Sequence, residues 1–240
     1  MELTKDPQKI RSMFGSIASR YDMANTILSG GIHHLWRREL VRLSQAERGF
    51  RVLDCATGTG DLAFEFKKQV GIEGQVIGCD FCEEMLSLAR LKSHKRSLSL
   101  VFELADVTKL SYPNACFDVA SIAFGIRNVS NPLMAISELA RVVRPGGKIM
   151  ILEFGQPETP VFKQIYELYS KYLMPRLGGM ISGSFAAYKY LQTSSSHFPC
   201  REEFLAMMMS TKLFSRCEYK SLSGGIAYIY SGYVGDLPQH

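Results

Sequence analysis

No apolar run in the 240 residues approaches the roughly 20 needed to cross a bilayer. The first residues carry Glu2, Lys5, Asp6 and Lys9 where a secretory leader needs an uninterrupted apolar core. The chain is therefore expected to stay in the cytoplasm. Basic residues do not cluster: 28 Lys and Arg against 23 Asp and Glu leave a formal charge of +5, spread without a run of five or six like charges. That balance hints weakly at anionic partners, and it lacks the concentrated basic stripe of a nucleic-acid binder. Cysteine is sparse and scattered (Cys55, Cys79, Cys82, Cys116, Cys200, Cys217), and thiols in apolar strand-like segments behave as small hydrophobes. Cys79 and Cys82 form a C-x-x-C pair, but no second pair or spaced histidines complete a tetrahedral site, so no metal is expected. Nine prolines and no internal repeat, beside 46% apolar and 21% charged residues, exclude a disordered or low-complexity chain. The length suits one domain.

What is present is an alternation of patterns. Residues 1–46 read as helical, with Ile10, Met13, Phe14 and Ile17 at spacings of three and four, and a second helix from His33 to Leu43 after a break at Leu28-Ser29-Gly30-Gly31. Over 51–155, short apolar runs (51–54, 75–80, 99–104, 117–124, 148–154) alternate with helical patterns over 61–70, 83–92 and 131–143. This predicts an α/β fold with a mostly parallel sheet and crossover helices. Arg144-Pro145-Gly146-Gly147 reads as a turn that stops the third of those helices. Residues 156–200 show no strand and are rich in tyrosine and long apolar residues, which predicts a helical insertion too long for an ordinary connection. Over 201–235 a final helix near 202–209 precedes two strand-like runs joined by Ser223-Gly224-Gly225, an antiparallel hairpin.

Chemistry is written most clearly at Val52-Leu53-Asp54-Cys55-Ala56-Thr57-Gly58-Thr59-Gly60-Asp61, where a strand meets a glycine-rich turn and then a helix. Gly58 and Gly60 free the backbone to take conformations closed to other residues and to approach a ligand. Asp80 ends the next strand, where nucleotide-binding α/β folds place an acid that accepts from ribose hydroxyls. A ribose-bearing cofactor follows. Gly58-x-Gly60-x-x-Ala63 also meets the looser dinucleotide fingerprint, so an NAD-dependent oxidoreductase is the rival reading. Two features oppose it. Asp61 sets a carboxylate at the helix N-terminus that a pyrophosphate would occupy, and none of the 11 tyrosines has a lysine four positions later for proton transfer.

The glycine loop, Asp80, Phe117-Asp118, the Arg141-to-Gly147 segment and the terminal hairpin together resemble a class I S-adenosylmethionine-dependent methyltransferase. Phe14 to Asn25 (FGSIASRYDMAN), Leu28 to Trp36 (LSGGIHHLW), Phe124 to Val129 (FGIRNV), Leu152-Glu153-Phe154 and Tyr188 to Leu191 (YKYL) are similar to the C-methyltransferases of ubiquinone and menaquinone biosynthesis. The resemblance covers nearly the whole chain. It implies a Rossmann-like, seven-stranded sheet and S-adenosyl-L-methionine as cofactor, held around Asp54, Gly58, Thr59 and Gly60, by Asp80 on the ribose, by Asp106 and Val107 beside the adenine, and at Ala123. Ala123 stands where some members have a hydroxyl residue, so its contact would come from backbone. Leu110-Ser111-Tyr112 replaces a common Leu-Pro-Phe, and Thr193 replaces an acid.

The implied reaction is C-methylation of a polyprenyl quinol, demethylmenaquinol to menaquinol, with the benzoquinol of ubiquinone synthesis as the alternative. A ring carbon becomes nucleophilic when a phenol loses its proton, and the oxyanion wants a positive neighbour. Arg127, after the fourth strand, is the candidate; Tyr21 could bridge through a water, and His33 or His197 could be the base. The competing reading makes Arg127 a structural partner of Asp22 or Glu153 and Tyr21 a core phenol. A lipid-tailed acceptor implies transient membrane-surface contact through the aromatic insertion with Lys163, Lys171, Arg176 and Lys189, while residues 1–46 would cap the substrate. A homodimer is open. A nucleic-acid methyltransferase would need an added binding domain or basic stripe, and a non-catalytic module would not need the intact glycine loop.

Overall fold

Pro7 starts the first helix with its φ already set, and the Asp6 side chain accepts a hydrogen bond from Gln8 N at 3.0 Å to cap it. This helix, α1 (Pro7–Ser29), stops at Gly30, and Gly31 opens α2 (Ile32–Ser44); both glycines take left-handed conformations. These features come from a computed structural model that describes residues 6–235, so Glu2 and Lys5 lie outside it. The core follows as β1 (Arg51–Cys55), α3 (Asp61–Val70), β2 (Gln75–Asp80), α4 (Glu83–Lys95), β3 (Val101–Leu104), β4 (Phe117–Ala123), α5 (Pro132–Val142) and β5 (Val143–Phe154). The 156–200 segment is wholly helical in its ordered elements: α6 (Pro160–Leu168), a π turn (Tyr169–Leu173), α7 (Met174–Ser182) and α8 (Phe185–His197). The chain then forms α9 (Glu202–Ser210) and the hairpin β6 (Phe214–Leu222) and β7 (Ala227–Val234).

One seven-stranded sheet has the order β3-β2-β1-β4-β5-β7-β6. From β3 to β5 the pairings are parallel, and β7 runs antiparallel to both neighbours. The fold class is as the alternation predicts. Successive residues of β1 face opposite layers: Val52 packs with Trp36, Leu40, Phe64 and Leu86 on one side, Leu53 with Ile136, Leu139 and Phe204 on the other. With both faces covered, the central strands need apolar residues at nearly every position.

The Arg144-to-Gly147 segment departs from expectation. It lies inside β5, where the pairing with β4 shifts register between Phe117 and Val119, so the residues form a bulge within a strand. Gly147 fits there because a Cβ would come within 2.6 Å of Asp118 O.

The order of the strands creates the site. After β3 the chain crosses to the other side of β1, and a crevice opens at the C-terminal ends of β1 and β4, the position where open α/β sheets bind ligands. Helices α1, α7 and α8 pack above it through Ile17, Ala24, Ala187 and Tyr188. Gly178 permits that packing, since a Cβ there would stand 2.4 Å from the Tyr188 ring.

Candidate active site

Two cavities meet above the crevice. The first, about 890 Å³ including its mouth, is lined by Gly58, Asp80, Met85, Asp106, Val107 and Ala123 among others. Its floor is the glycine turn. Gly58 adopts φ +57° and a side chain there would meet no protein atom within 4 Å, so only the missing Cβ keeps that space open. Asp80 is 6% exposed and accepts from Gly58 N at 2.8 Å through one oxygen and from Cys82 N at 2.9 Å through the other. Burial pushes its carboxyl up to about 6 against the pull of the backbone donors. Beneath the turn, Asp54 accepts from Thr57 and Ser121 hydroxyls at 2.6 and 2.7 Å, and burial likewise raises it to about 6.

The second cavity, about 1210 Å³ with its mouth, is mostly apolar and lies between α1, α2 and the α6–α8 insertion. Phe14, Tyr21 and Phe124 line both cavities and form their shared wall. Phe124 holds φ +57°, an uncommon conformation for a bulky residue, which marks the place as constrained by its surroundings. Its ring lies 4.4 Å from that of Phe154. Arg127 sits over Phe154 at 5.3 Å, bonded to Glu153 and donating to Phe124 O at 2.7 Å. Both members of that ion pair are buried, at 4% and 1% exposure. Among the described residues the Arg127 Nε, the Arg37 Nη1 and the hydroxyls of Tyr188 and Tyr190 are buried without a hydrogen-bond partner, and all four residues line this cavity.

A model of the ubiE/COQ5 methyltransferase family matches residues 2–234. The chain is a member of that family. It is 56% identical over 229 residues to the ubiquinone/menaquinone biosynthesis C-methyltransferase UbiE of Bdellovibrio bacteriovorus, covering 95% of this chain and 97% of that one. It is 40% identical over 225 residues to the demethylmenaquinone methyltransferase of Deinococcus radiodurans, covering 94% and 92%. Among solved structures, a SAM-dependent methyltransferase from Aquifex aeolicus superposes with TM-score 0.60 at 20% identity, covering 82% of this chain and 89% of that one. As a ubiE/COQ5 methyltransferase, the chain is an enzyme that uses S-adenosylmethionine.

The residues fit that cofactor. Each Asp80 oxygen already accepts one backbone N–H and keeps acceptor capacity for a hydroxyl. Gly125 lets the loop after β4 approach the loop after β1, because a Cβ would fall 2.5 Å from that of Ala56. Asp106 is exposed at the rim and ties its own turn by accepting from Thr108 N and Oγ1 at 2.8 Å.

Other expected residues sit differently. Thr59 does not line the cavity: its hydroxyl donates to Asp22 at 2.6 Å and accepts from Lys92 at 2.8 Å. Gly60 packs against Phe64 and Phe102, and Asp54 lies under the turn. Asp22, considered above as an Arg127 partner, pairs instead with Lys92 at 2.5 Å, and Glu153 is the residue that Arg127 holds.

Lys92 also bonds Asp61 at 2.9 Å. The charge that argued against a pyrophosphate at this helix is thereby offset, and family membership rather than Asp61 removes the dehydrogenase reading. His33 lines the second cavity and bonds Ser29 Oγ at 2.6 Å; burial, then Arg37 and His34, push its imidazole down to about 3, so it is neutral and a weak base near pH 7. His197 is exposed at the end of α8, away from both cavities. Tyr21 is raised above its ordinary value by burial, with Arg37 and Arg127 opposing.

Sequence reasoning missed Arg37. A signal existed: His33 and Arg37 are four residues apart among Ile32, Trp36 and Leu40, a polar pair within the buried face of α2.

Proposed function

We propose that this enzyme methylates a ring carbon of a reduced polyprenyl quinone, demethylmenaquinol in the first instance and the benzoquinol of ubiquinone synthesis as the alternative. The observation that carries the reading is the shared wall. A cavity that sets Asp80 and Asp106 among apolar residues, suited to the cofactor, and an apolar cavity suited to a ring and the start of its tail share a wall of Phe14, Tyr21 and Phe124. Methyl transfer needs donor and acceptor in line, and most of its acceleration comes from such positioning.

S-adenosylmethionine supplies an electrophilic methyl on a sulfonium. The acceptor phenol ionises, the carbon–carbon bond forms as the sulfur–carbon bond breaks to a neutral thioether, and the ring carbon then loses its hydrogen while the oxygen regains one. One proton is released overall. In this reading Asp80 holds the ribose, Asp106 and Val107 flank the adenine, and Ala123 contributes through its backbone. Arg127 offers its free Nε to the ring oxygen, and Tyr21 orders the boundary between the cavities.

The lipid tail implies contact with a membrane surface. No helix among the described residues is long and apolar enough to cross one. Instead, Val161, Ile165, Leu168 and Tyr172 recur at spacings of four, three and four on one face of α6 and the π turn, at 48–73% exposure. Tyr166 and Tyr169 on the same segment line the second cavity. One helix thus carries an apolar stripe outward and another inward, with Lys163, Lys171, Arg176 and Lys189 nearby, a pattern suited to shallow burial in an anionic surface.

Transfer of labelled methyl from S-adenosylmethionine to short-tailed demethylmenaquinol, the matched benzoquinol and RNA tests the assignment. Turnover of the naphthoquinol supports it, and turnover of the benzoquinol alone selects the alternative. Labelling of RNA, or of neither quinol, rejects it.

A further inference from the structure

We propose that Arg37 binds an oxygen of the acceptor ring as its phenolate and supplies the positive charge that Arg127 has already committed to Glu153. The inference rests on the quinol reading for the identity of the acceptor. The geometry requires only an acceptor with an ionisable ring oxygen.

Arg37 projects from α2 into the second cavity and is 9% exposed, with its Nη1 fully buried. Among the described residues its guanidinium makes no hydrogen bond and no salt bridge, and it stands over the Phe124 ring, 5.8 Å from Cζ to centroid. Taking a charged group out of water without a hydrogen-bonding partner is among the costliest arrangements in a folded protein. A site that maintains such an arrangement is built for an anionic or strongly accepting ligand.

The charged and titratable groups whose fields meet that of Arg37 come from four elements: Tyr21 on α1, His33 on α2, Asp54 on β1 and Asp61 on α3. Asp61 is bonded to Lys92, and Asp54 to Thr57 and Ser121. The acids therefore attract Arg37 at a distance and leave its donors free.

Arg127 differs in this respect. Its Nη1 serves Glu153 and Phe124 O, leaving a neutral pair with a buried, unpaired N–H at Nε. A neutral pair offers a hydrogen bond; an uncompensated guanidinium offers charge, and charge is what lowers the cost of forming a phenolate. Both arginines stand over neighbouring rings, Arg37 over Phe124 and Arg127 over Phe154, so a ring entering beside this pair meets both. Arg37 lines the second cavity and not the first, where Asp80 and the glycine turn lie.

The test uses the full chain saturated with S-adenosylhomocysteine and a nitronaphthol whose phenolate, unlike its phenol, absorbs visible light. In the wild type the bound probe should ionise at lower pH than free probe. Arg37→Gln should weaken binding of the ionised probe by about tenfold to a hundredfold, the size of a hydrogen bond to a charged group. It should leave the un-ionised form and S-adenosylhomocysteine bound as before. Arg37→Lys, which keeps the charge without the planar fork, should fall between and serves if the glutamine variant does not fold. Identical probe ionisation in wild type and variants overturns the proposal, as does a wild type that does not favour the phenolate. Loss of S-adenosylhomocysteine affinity in Arg37→Gln would also overturn it, by assigning Arg37 to the cofactor carboxylate. Because the readout needs no methyl transfer, an Arg37-dependent phenolate site in a protein that methylates no quinol would reject the substrate reading and keep this one.

Discussion

Removing Arg127 alone would confuse two roles, and the buried pair shows how to separate them. Arg127→Ala leaves the Glu153 carboxylate, 1% exposed, with backbone donors only: Phe154 N at 2.9 Å and residue 127 N at 3.3 Å. Breaking one side of a buried ion pair costs about 3–5 kcal/mol. In a chain of this size that corresponds to a fall in Tm of roughly 6–20 °C. Replacing both partners by apolar residues of similar volume, Arg127→Met with Glu153→Leu, removes the stranded charge, and such exchanges are about neutral or stabilising. The double variant should therefore regain most of the lost Tm.

Activity should not follow. If the Arg127 Nε reaches the reacting oxygen, single-turnover methyl transfer in the double variant stays slower by on the order of 100-fold, the effect of losing one oxyanion donor. Calorimetry should show cofactor affinity unchanged in both variants. An unchanged Tm in the single variant would refute the reasoning about the pair. Full activity in the double variant would leave Arg127 a purely structural residue.

The carboxyl of Asp80, raised to about 6 by burial, binds a proton in the folded state that the unfolded chain has already lost, so its contribution to stability is greatest below pH 4 and is lost as pH rises through about 6. Hydroxyl donors from the cofactor favour the ionised form, so binding should release protons near pH 6 and none at pH 8, measured by calorimetry in buffers of different ionisation enthalpy. Asp80→Asn should weaken S-adenosylmethionine by about 1.5–3 kcal/mol, and should also lower Tm, because it disturbs the bonds from Gly58 and Cys82. Gly125→Ala drives a methyl against Ala56 and should cost about 1–3 kcal/mol in denaturant unfolding together with cofactor affinity. Ile165→Asp with Leu168→Asp, on the outer face of α6, should abolish flotation with anionic vesicles at low salt while leaving Tm within a few degrees; equal flotation of variant and wild type would count against the membrane contact.

How much of this was legible in the sequence depended on how local its cause was. The helix over 61–70 was readable to the residue because Gly60 and Gly71 bound an amphipathic run. The turn and Asp80 were readable because strand, glycine and acid follow at the spacings a βαβ unit imposes; residues 106 and 107, which line the same cavity, were pointed to only by the family resemblance. Arg144 to Gly147 fall inside β5 as a bulge because Val143 and Lys148 on either side of them both pair with β4, a contact no local pattern announces. Thr59 was drawn away by Asp22 and Lys92, residues 37 and 33 positions distant. The choice of Glu153 over Asp22 as partner of Arg127 was likewise a matter of tertiary placement. Arg37 had a local trace, but only the enclosure of the second cavity shows that its donors are free.

Lys92 has one more consequence. A single ammonium fastens α1, the glycine turn and α3 together through Asp22, Thr59 and Asp61. Among the described residues no salt bridge joins α6–α8 to anything; apolar packing, the Tyr169 hydroxyl on Leu28 O and the Gln156 amide on Ser196 O hold that side. The molecule is mechanically lopsided, bolted where the small cofactor must sit in register and yielding where a bulky greasy molecule must pass. On the proposed quinol reading, acceptor and product would pass through the soft side, toward lipid, and each turnover would load and discharge its long tail sideways while the bolted wall keeps the methyl donor aimed.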